Sequence, residues 1–198
     1  MVEVVENYRK NVLETFRGYR CMAEKALEQV NDDEFFRQLD DESNSIAIIV
    51  KHISGNQASR FTDFLTTDGE KAERDRDSEF IIDNNARDRL MKDWENGWGT
   101  LFAAIEELKN EDFGLSVAIR GEPHTVVEAI NRQLTHCAYH VGQIVFLAKH
   151  HRCTDWQTVS VPRNRSADFN EFLARKKAKG EAPSHPLDGP GEFMHRKG

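Results

Sequence analysis

The sequence predicts an all-α protein, a four-helix bundle with a short C-terminal extension. Four stretches of roughly 20 residues or more repeat apolar positions at three- and four-residue steps, the period of an amphipathic helix. Only one short segment alternates as a strand would. The chain of 198 residues is long enough for one domain with a proper core and short for two.

The first stretch, Val4 to Val30, carries Val5, Tyr8, Val12, Phe16, Tyr19, Ala23, Ala26 and Leu27 on one face. Asn31-Asp32-Asp33-Glu34 then offers an N-cap and an acidic first turn for a short connecting helix through about Gln38. Ser43 or Ser45 caps a second long helix, Asn44 to Leu65, built on Ile46, Ile49, Ile53, Phe61 and Phe64. Thr66 to Asp83 mixes Glu, Lys, Arg and Asp around Phe80, Ile81 and Ile82, and is expected to be an exposed crossover loop. Asp83 or Asn84 can cap a third helix bearing Leu90, Trp94, Trp98, Leu101, Phe102, Ile105 and Leu108, with both tryptophans in the core. Gly97 and Gly99 weaken it by about 1 kcal/mol each unless close packing needs them. Phe113 to Ile119 alternates before Arg120-Gly121-Glu122-Pro123, which predicts an extended or hairpin connection. A fourth helix runs from near Thr125 to about His150, and a short one covers Ala167 to Lys176. The expected organisation is a bundle over 1–152, an extension packed on it over 153–179 with Trp156 covering the bundle end or cleft, and a disordered tail over 180–198.

A net charge of -7 argues against nucleic acid as a partner, which needs clustered Lys and Arg. Arg175-Lys176-Lys177-Ala178-Lys179 is read as a solvated helix end. The cysteines Cys21, Cys137 and Cys153 form no Cys-x-x-Cys pair, so neither a disulfide framework nor a cysteine zinc site is indicated. The acidic Met1-Val2-Glu3-Val4-Val5-Glu6 is unlike a signal peptide, and no stretch approaches the ~20 apolar residues of a membrane span. The expectation is a cytoplasmic protein without a membrane partner.

His136 and His140 are four residues apart on the fourth helix, so both rings project from one face, a spacing that suits two ligands of one ion. A metalloprotease helix is set aside, because His136-Cys137-Ala138-Tyr139-His140 lacks the Glu of His-Glu-x-x-His. A histidine pair on a helix is more often exposed or in an ordinary polar contact. Here each histidine precedes a residue of the stripe Val127, Ile130, Leu134, Cys137, Val141, Ile144 and Ala148, about 100° around the helix, and so flanks the core. Gln133 and Gln143 extend the same polar strip. His52 borders the core of the second helix in the same way, after Ile46-Ala47-Ile48-Ile49-Val50. Three imidazoles fill three positions of a divalent ion and leave one open, the arrangement of a catalytic site.

Ile49-Val50-Lys51-His52-Ile53, followed by His136-Cys137-Ala138-Tyr139-His140-Val141-Gly142-Gln143-Ile144, resembles the DinB-like family, and the His-x-x-x-His-x-Gly-Gln-Ile pattern is its specific part. The resemblance covers about residues 4 to 150, and Val159-Ser160-Val161-Pro162 resembles the extension of an uncharacterised subgroup. It implies an up-up-down-down bundle, a three-histidine site for a divalent metal and frequent homodimers; the imidazole ligands suit zinc or nickel, with iron or manganese as further choices. Characterised relatives are metal-dependent transferases or isomerases that use low-molecular-weight thiols such as bacillithiol or mycothiol, acting on small molecules.

Gln143 is the candidate for a contact to a ligand histidine or to substrate, and Gly142 for close approach of a helix or substrate. His150 and His151 suit the helix C-terminus, where cations meet the dipole favourably. Cys137 is read as a small buried thiol, and no acid or base is assigned. The leading expectation is a metal-dependent thiol S-transferase whose ion acidifies a coordinated water or thiol, or polarises a substrate oxygen. A non-catalytic metal-binding bundle is the alternative, and an open fourth coordination position separates the two.

Overall fold

The computed structural model describes residues 2–82 and 86–181. The expected caps Asp83 and Asn84, residues 182–198 of the expected tail, and His185 and His195 lie outside the described residues. Among those residues the chain is mostly helical: α1 (Val2–Leu27), α2 (Asp32–Phe36), α3 (Ile46–Phe61), α4 (Arg87–Glu106), α5 (Val126–Arg152) and α6 (Ser166–Ala178), with one hairpin of β1 (Ser116–Ile119) and β2 (Glu122–Thr125).

Local chemistry sets most boundaries. Asn31 and Glu34 form a reciprocal capping box at α2, and Thr125 and Glu128 form another at α5. Ser45 rather than Ser43 caps α3, accepting from Ile48 N. The expected second helix runs too far: α3 stops at Phe61, because Thr62 is extended and Asp63 takes a left-handed φ of 48°. Asp63 O then accepts from Thr66 and Thr67. Arg120 (φ 57°) and Gly121 (φ 75°) make the two-residue hairpin turn, whose positive φ values match strand twist.

Phe16, Trp94, Trp98, Ile49, Ile53, Ile130 and Ile144 fill the core shared by the long helices. Trp94 Nε1 donates to Glu24, so its buried ring still satisfies its polar atom. At Gly97 an added Cβ would meet Ser54 backbone at 3.0–3.1 Å, so α3 and α4 touch there through a missing side chain. Gly99 faces open space and has no such reason.

Side-chain contacts fix the helix directions. Tyr8 near the start of α1 bonds to Val127 and Asn131 near the start of α5, and Gln29 past the end of α1 bonds to Gln157 past the end of α5, so these helices run parallel. Arg9 meets Leu108, Arg17 meets Glu106 and Arg20 meets Glu95, so α4 runs against α1. His52 beside His140, with Gln57 beside Cys137, sets α3 against α5. The order is therefore up-down-down-up, not the up-up-down-down implied by the resemblance. The physical reason is that the α1–α3 link stays at one end, held by Phe35 in the core and by Glu34 against Arg152. Among the described residues, the connection that travels along the bundle is 62–82, between the parallel pair α3 and α4.

That segment is exposed only in part, because its backbone is tethered to the hairpin and to α3. Asp68 accepts from the backbone of Arg120 and Gly121, and Gly69 N donates to Ala118 O, at the hairpin end. Farther on, Lys71 N donates to Ser59, and Lys51 Nζ donates to Ser78 O and Ile81 O. The strap thus lies along α3, with Glu79 buried. After α5, Val159 is buried, whereas α6 buries none of its residues. No helix among the described residues is long and apolar enough to cross a membrane.

Candidate metal centre

His52 from α3 and His136 and His140 from α5 come together between the two helices. Each offers one ring nitrogen, and these atoms lie within 4.8 Å of one another. The closest pair, His52 Nε2 and His136 Nε2, is 3.1 Å apart. Two nitrogens on one tetrahedral zinc are separated by about 3.3 Å, given Zn–N near 2.0–2.1 Å. This three-histidine cluster could hold a metal ion.

The outer nitrogens explain why the inner ones converge. His52 Nδ1 lies 2.8 Å from Glu79 Oε2, and Arg74 grips the same carboxylate from Nε (2.8 Å) and Nη2 (2.9 Å). Burial alone would raise the Glu79 carboxyl, but the bonds from His52 and the Arg74 charge overcome it and hold the pKa below its usual value. An ionised carboxylate only accepts, so His52 Nδ1 carries the proton and Nε2 presents a lone pair. His140 Nδ1 lies 2.7 Å from Gln143 Oε1, which sets the same tautomer. His136 differs, since its Nδ1 is buried with no partner among the described residues. A proton shared between His136 and His52 would satisfy one contact of three, whereas a cation among the rings satisfies all.

Burial, with the neighbouring histidines adding to it, pushes the His136 pKa down to about 3. Burial likewise pushes His140 down to about 4, despite the opposing bond to Gln143. Both rings are therefore neutral near pH 7, the form that binds metal. Cys137, between the two on α5, points into the core and is fully buried. Burial raises its thiol to about 12, so it is no nucleophile.

Glu79 and Arg74 were not legible as site residues in so charged a segment. The available signal was Phe80, the first of the segment's large apolar residues, whose ring packs 4.9 Å from that of His52 and so fixes Glu79 beside it. Gly55 completes the arrangement, because a Cβ there would run into Glu79 Oε1. Gly142, expected to permit close approach, has nothing near its missing Cβ and faces outward, since α5 turns its opposite side to the bundle. His124, on β2, and His150 and His151, in the last turn of α5, stand apart from the cluster.

A cavity of about 400 Å³ opens against His52 and His136. Its other lining residues include Asn56, Gln133, Thr135, Tyr139 and five arginines. None of the three cysteines lines it.

Comparison with known families agrees with the extent of this architecture. The model of the family described as "Protein of unknown function (DUF1572)" matches residues 3–165. The chain belongs to that family. The matched region includes all four long helices, the strap and both walls of the histidine cluster, and ends just before α6. No curated protein and no solved structure gives a significant match to the chain.

Proposed function

We propose that this member of the family is a metal-dependent enzyme in which His52, His136 and His140 hold one divalent ion, zinc or nickel, beside a small-molecule pocket. The observation that carries the reading is the site's asymmetry. On one side the outer nitrogens of His52 and His140 meet Glu79 and Gln143, and on the other the cluster borders an open cavity. A purely structural metal site is closed by a fourth protein ligand, whereas a catalytic one keeps a position for water or substrate. Neutral imidazoles suit zinc, nickel and iron(II) alike.

An ion there supplies Lewis-acid chemistry, acidifying a coordinated thiol or water near neutral pH. The protein's own groups orient that chemistry: Glu79, clamped by Arg74, holds the His52 ring, Gln143 holds His140, and Gln133 and Tyr139 line the pocket wall on α5. The DinB-like resemblance supports thiol-dependent transfer as the reaction class. The absence of a chain thiol from the cavity lining supports a nucleophile that arrives as a low-molecular-weight cosubstrate.

Elemental analysis of untagged protein, beside the His52→Ala/His136→Ala/His140→Ala variant, tests the site. About one divalent ion per chain, lost in the variant, is expected. No ion after reconstitution with zinc, nickel, manganese or iron(II) would remove the metalloenzyme reading. Loaded protein is then assayed for consumption of bacillithiol or mycothiol with an electrophile, and inactivity with both would remove the thiol-transfer assignment.

A further inference from the structure

The cavity beside the histidines is lined by Arg60, Arg74, Arg76, Arg120 and Arg132, with no carboxylate among the described lining residues. So basic a wall is unexpected in a chain of net charge -7. Two of the five arginines form its floor and are already neutralised. The side chains of Arg60 and Arg74 are nearly buried and share Glu70, and Arg74 also holds Glu79. Burial opposes ionisation of Glu70, but the surrounding arginines overcome it and hold its pKa below normal.

The other three form the rim and retain donor capacity. Arg120 reaches Glu70 only at 3.4 Å and its side chain is 56% exposed. Arg76 stacks on Phe80 and meets Asp77 at 3.8 Å, an aspartate whose side chain is 97% exposed. Arg132 makes no ion pair among the described residues. It stands one helical turn before His136 on α5, so its side chain rises from the same face as the metal-site histidine. Asn56, only 7% exposed, also lines the cavity and has an Oδ1 without a hydrogen-bond partner.

We propose that this cavity is a receptor for an oxyanion, carboxylate or phosphate, carried by the substrate and gripped by Arg76, Arg120 and Arg132 while the substrate's other end faces the three histidines. Guanidinium groups match such anions in charge and in forked hydrogen-bond geometry. The volume lies within the roughly 300–1,000 Å³ of small-molecule pockets. Identifying the anion as substrate rests on the metal-enzyme reading above, whereas the receptor itself does not.

The test is calorimetric titration of the full chain, zinc-loaded and metal-free, with inorganic phosphate and with malonate at low ionic strength. One anion per chain is expected to bind. Affinity should fall about tenfold or more in Arg132→Gln and Arg120→Gln, the loss of one charge-assisted hydrogen bond, with zinc content and circular dichroism unchanged. Arg89→Gln, an exposed position on α4 away from the cavity, should bind as the parent does. The tighter of the two anions identifies the substrate's head as carboxylate or phosphate. Arginine-dependent binding in a protein that takes up no zinc would support the receptor and remove the metal-enzyme reading. Zinc uptake without anion binding, or binding only to zinc-loaded protein that is indifferent to both arginine variants, would overturn the receptor.

Discussion

Two walls of the histidine site are built in opposite ways. The α5 wall is one continuous helix: Arg132, His136 and His140 follow at four-residue spacing, and Gln143 reaches back to His140 within the same turn. The opposing strap wall, described over 62–82, has one short 3-10 turn at Asp77–Phe80 and otherwise no regular element, and it is placed by tertiary contacts to α3 and the hairpin. Helical rise and twist alone align the first wall, whereas the second depends on a network of arginine and glutamate side chains. Damage to the α5 wall should therefore act locally, and damage to the strap should also change how well the site is held.

The comparison breaks most visibly at a proposed ligand. His136→Ala is expected to lower zinc affinity by more than about 100-fold while leaving helicity intact, since the helix does not need the ring. Full zinc stoichiometry in this variant would remove His136 from the site. On the strap side, Glu79→Ala should lower zinc affinity by about 10–100-fold, the usual cost of losing a carboxylate behind a ligating histidine. Because Arg74 then loses a buried partner, thermal stability should fall too, and an unchanged melting temperature would show that the strap does not need this pair.

Acid separates the walls in the metal-free protein. His136 and His140 are held near 3 and 4 when folded, against about 6.5 unfolded. Between those values the unfolded chain binds more protons, so stability rises with pH, is fully present above about 6.5, and is lost as pH falls toward the folded values. Urea midpoints between pH 7.5 and pH 5 should follow this slope, and His136→Gln/His140→Gln should flatten it. A parent profile as flat as the variant's would show that the rings are not kept neutral by burial.

The smallest effects sharpen the picture. Gln143→Ala should weaken zinc binding only several-fold, below the Glu79 effect, since a neutral amide polarises the ring less than a carboxylate; equal losses would make the walls equivalent. Gly142→Ala should stabilise α5 by roughly 0.5–1 kcal/mol and leave zinc binding unchanged, because the position is helical, exposed and without neighbours. A loss of zinc in that variant would reveal a close approach absent from the structure.

How legible each part was follows from the range of the interactions that set it. Four long helices, the cap at Asn31 before the short α2, the choice of Ser43 or Ser45 before α3, the start of α5 near Thr125, and the burial of Trp94, Trp98 and Cys137 can be read because helical periodicity and capping act over three or four residues. The end of α3 could not be read: Phe64 and Leu65 continue the apolar pattern past the point where Asp63 turns the backbone. Resemblance supplied the wrong helix order, and contacts such as Tyr8 to Asn131 correct it.

The sequence by itself determined the helical class, the amphipathic faces and the pairing of His136 with His140, since each is fixed by neighbours along one helix. His52 reads as the third ligand from its place bordering a core, though the sequence offers no geometry to join it to the pair. Only the tertiary structure decided that it meets them, that the strap covers α3, and that Glu79, Arg74 and the cavity arginines converge on one place. Those decisions join residues dozens of positions apart, and what selects them is the packing of Phe80 on His52 and the cancelling of buried charge. A charged segment has the same composition in solvent as against a helix; only packing decides which of its carboxylates leaves water.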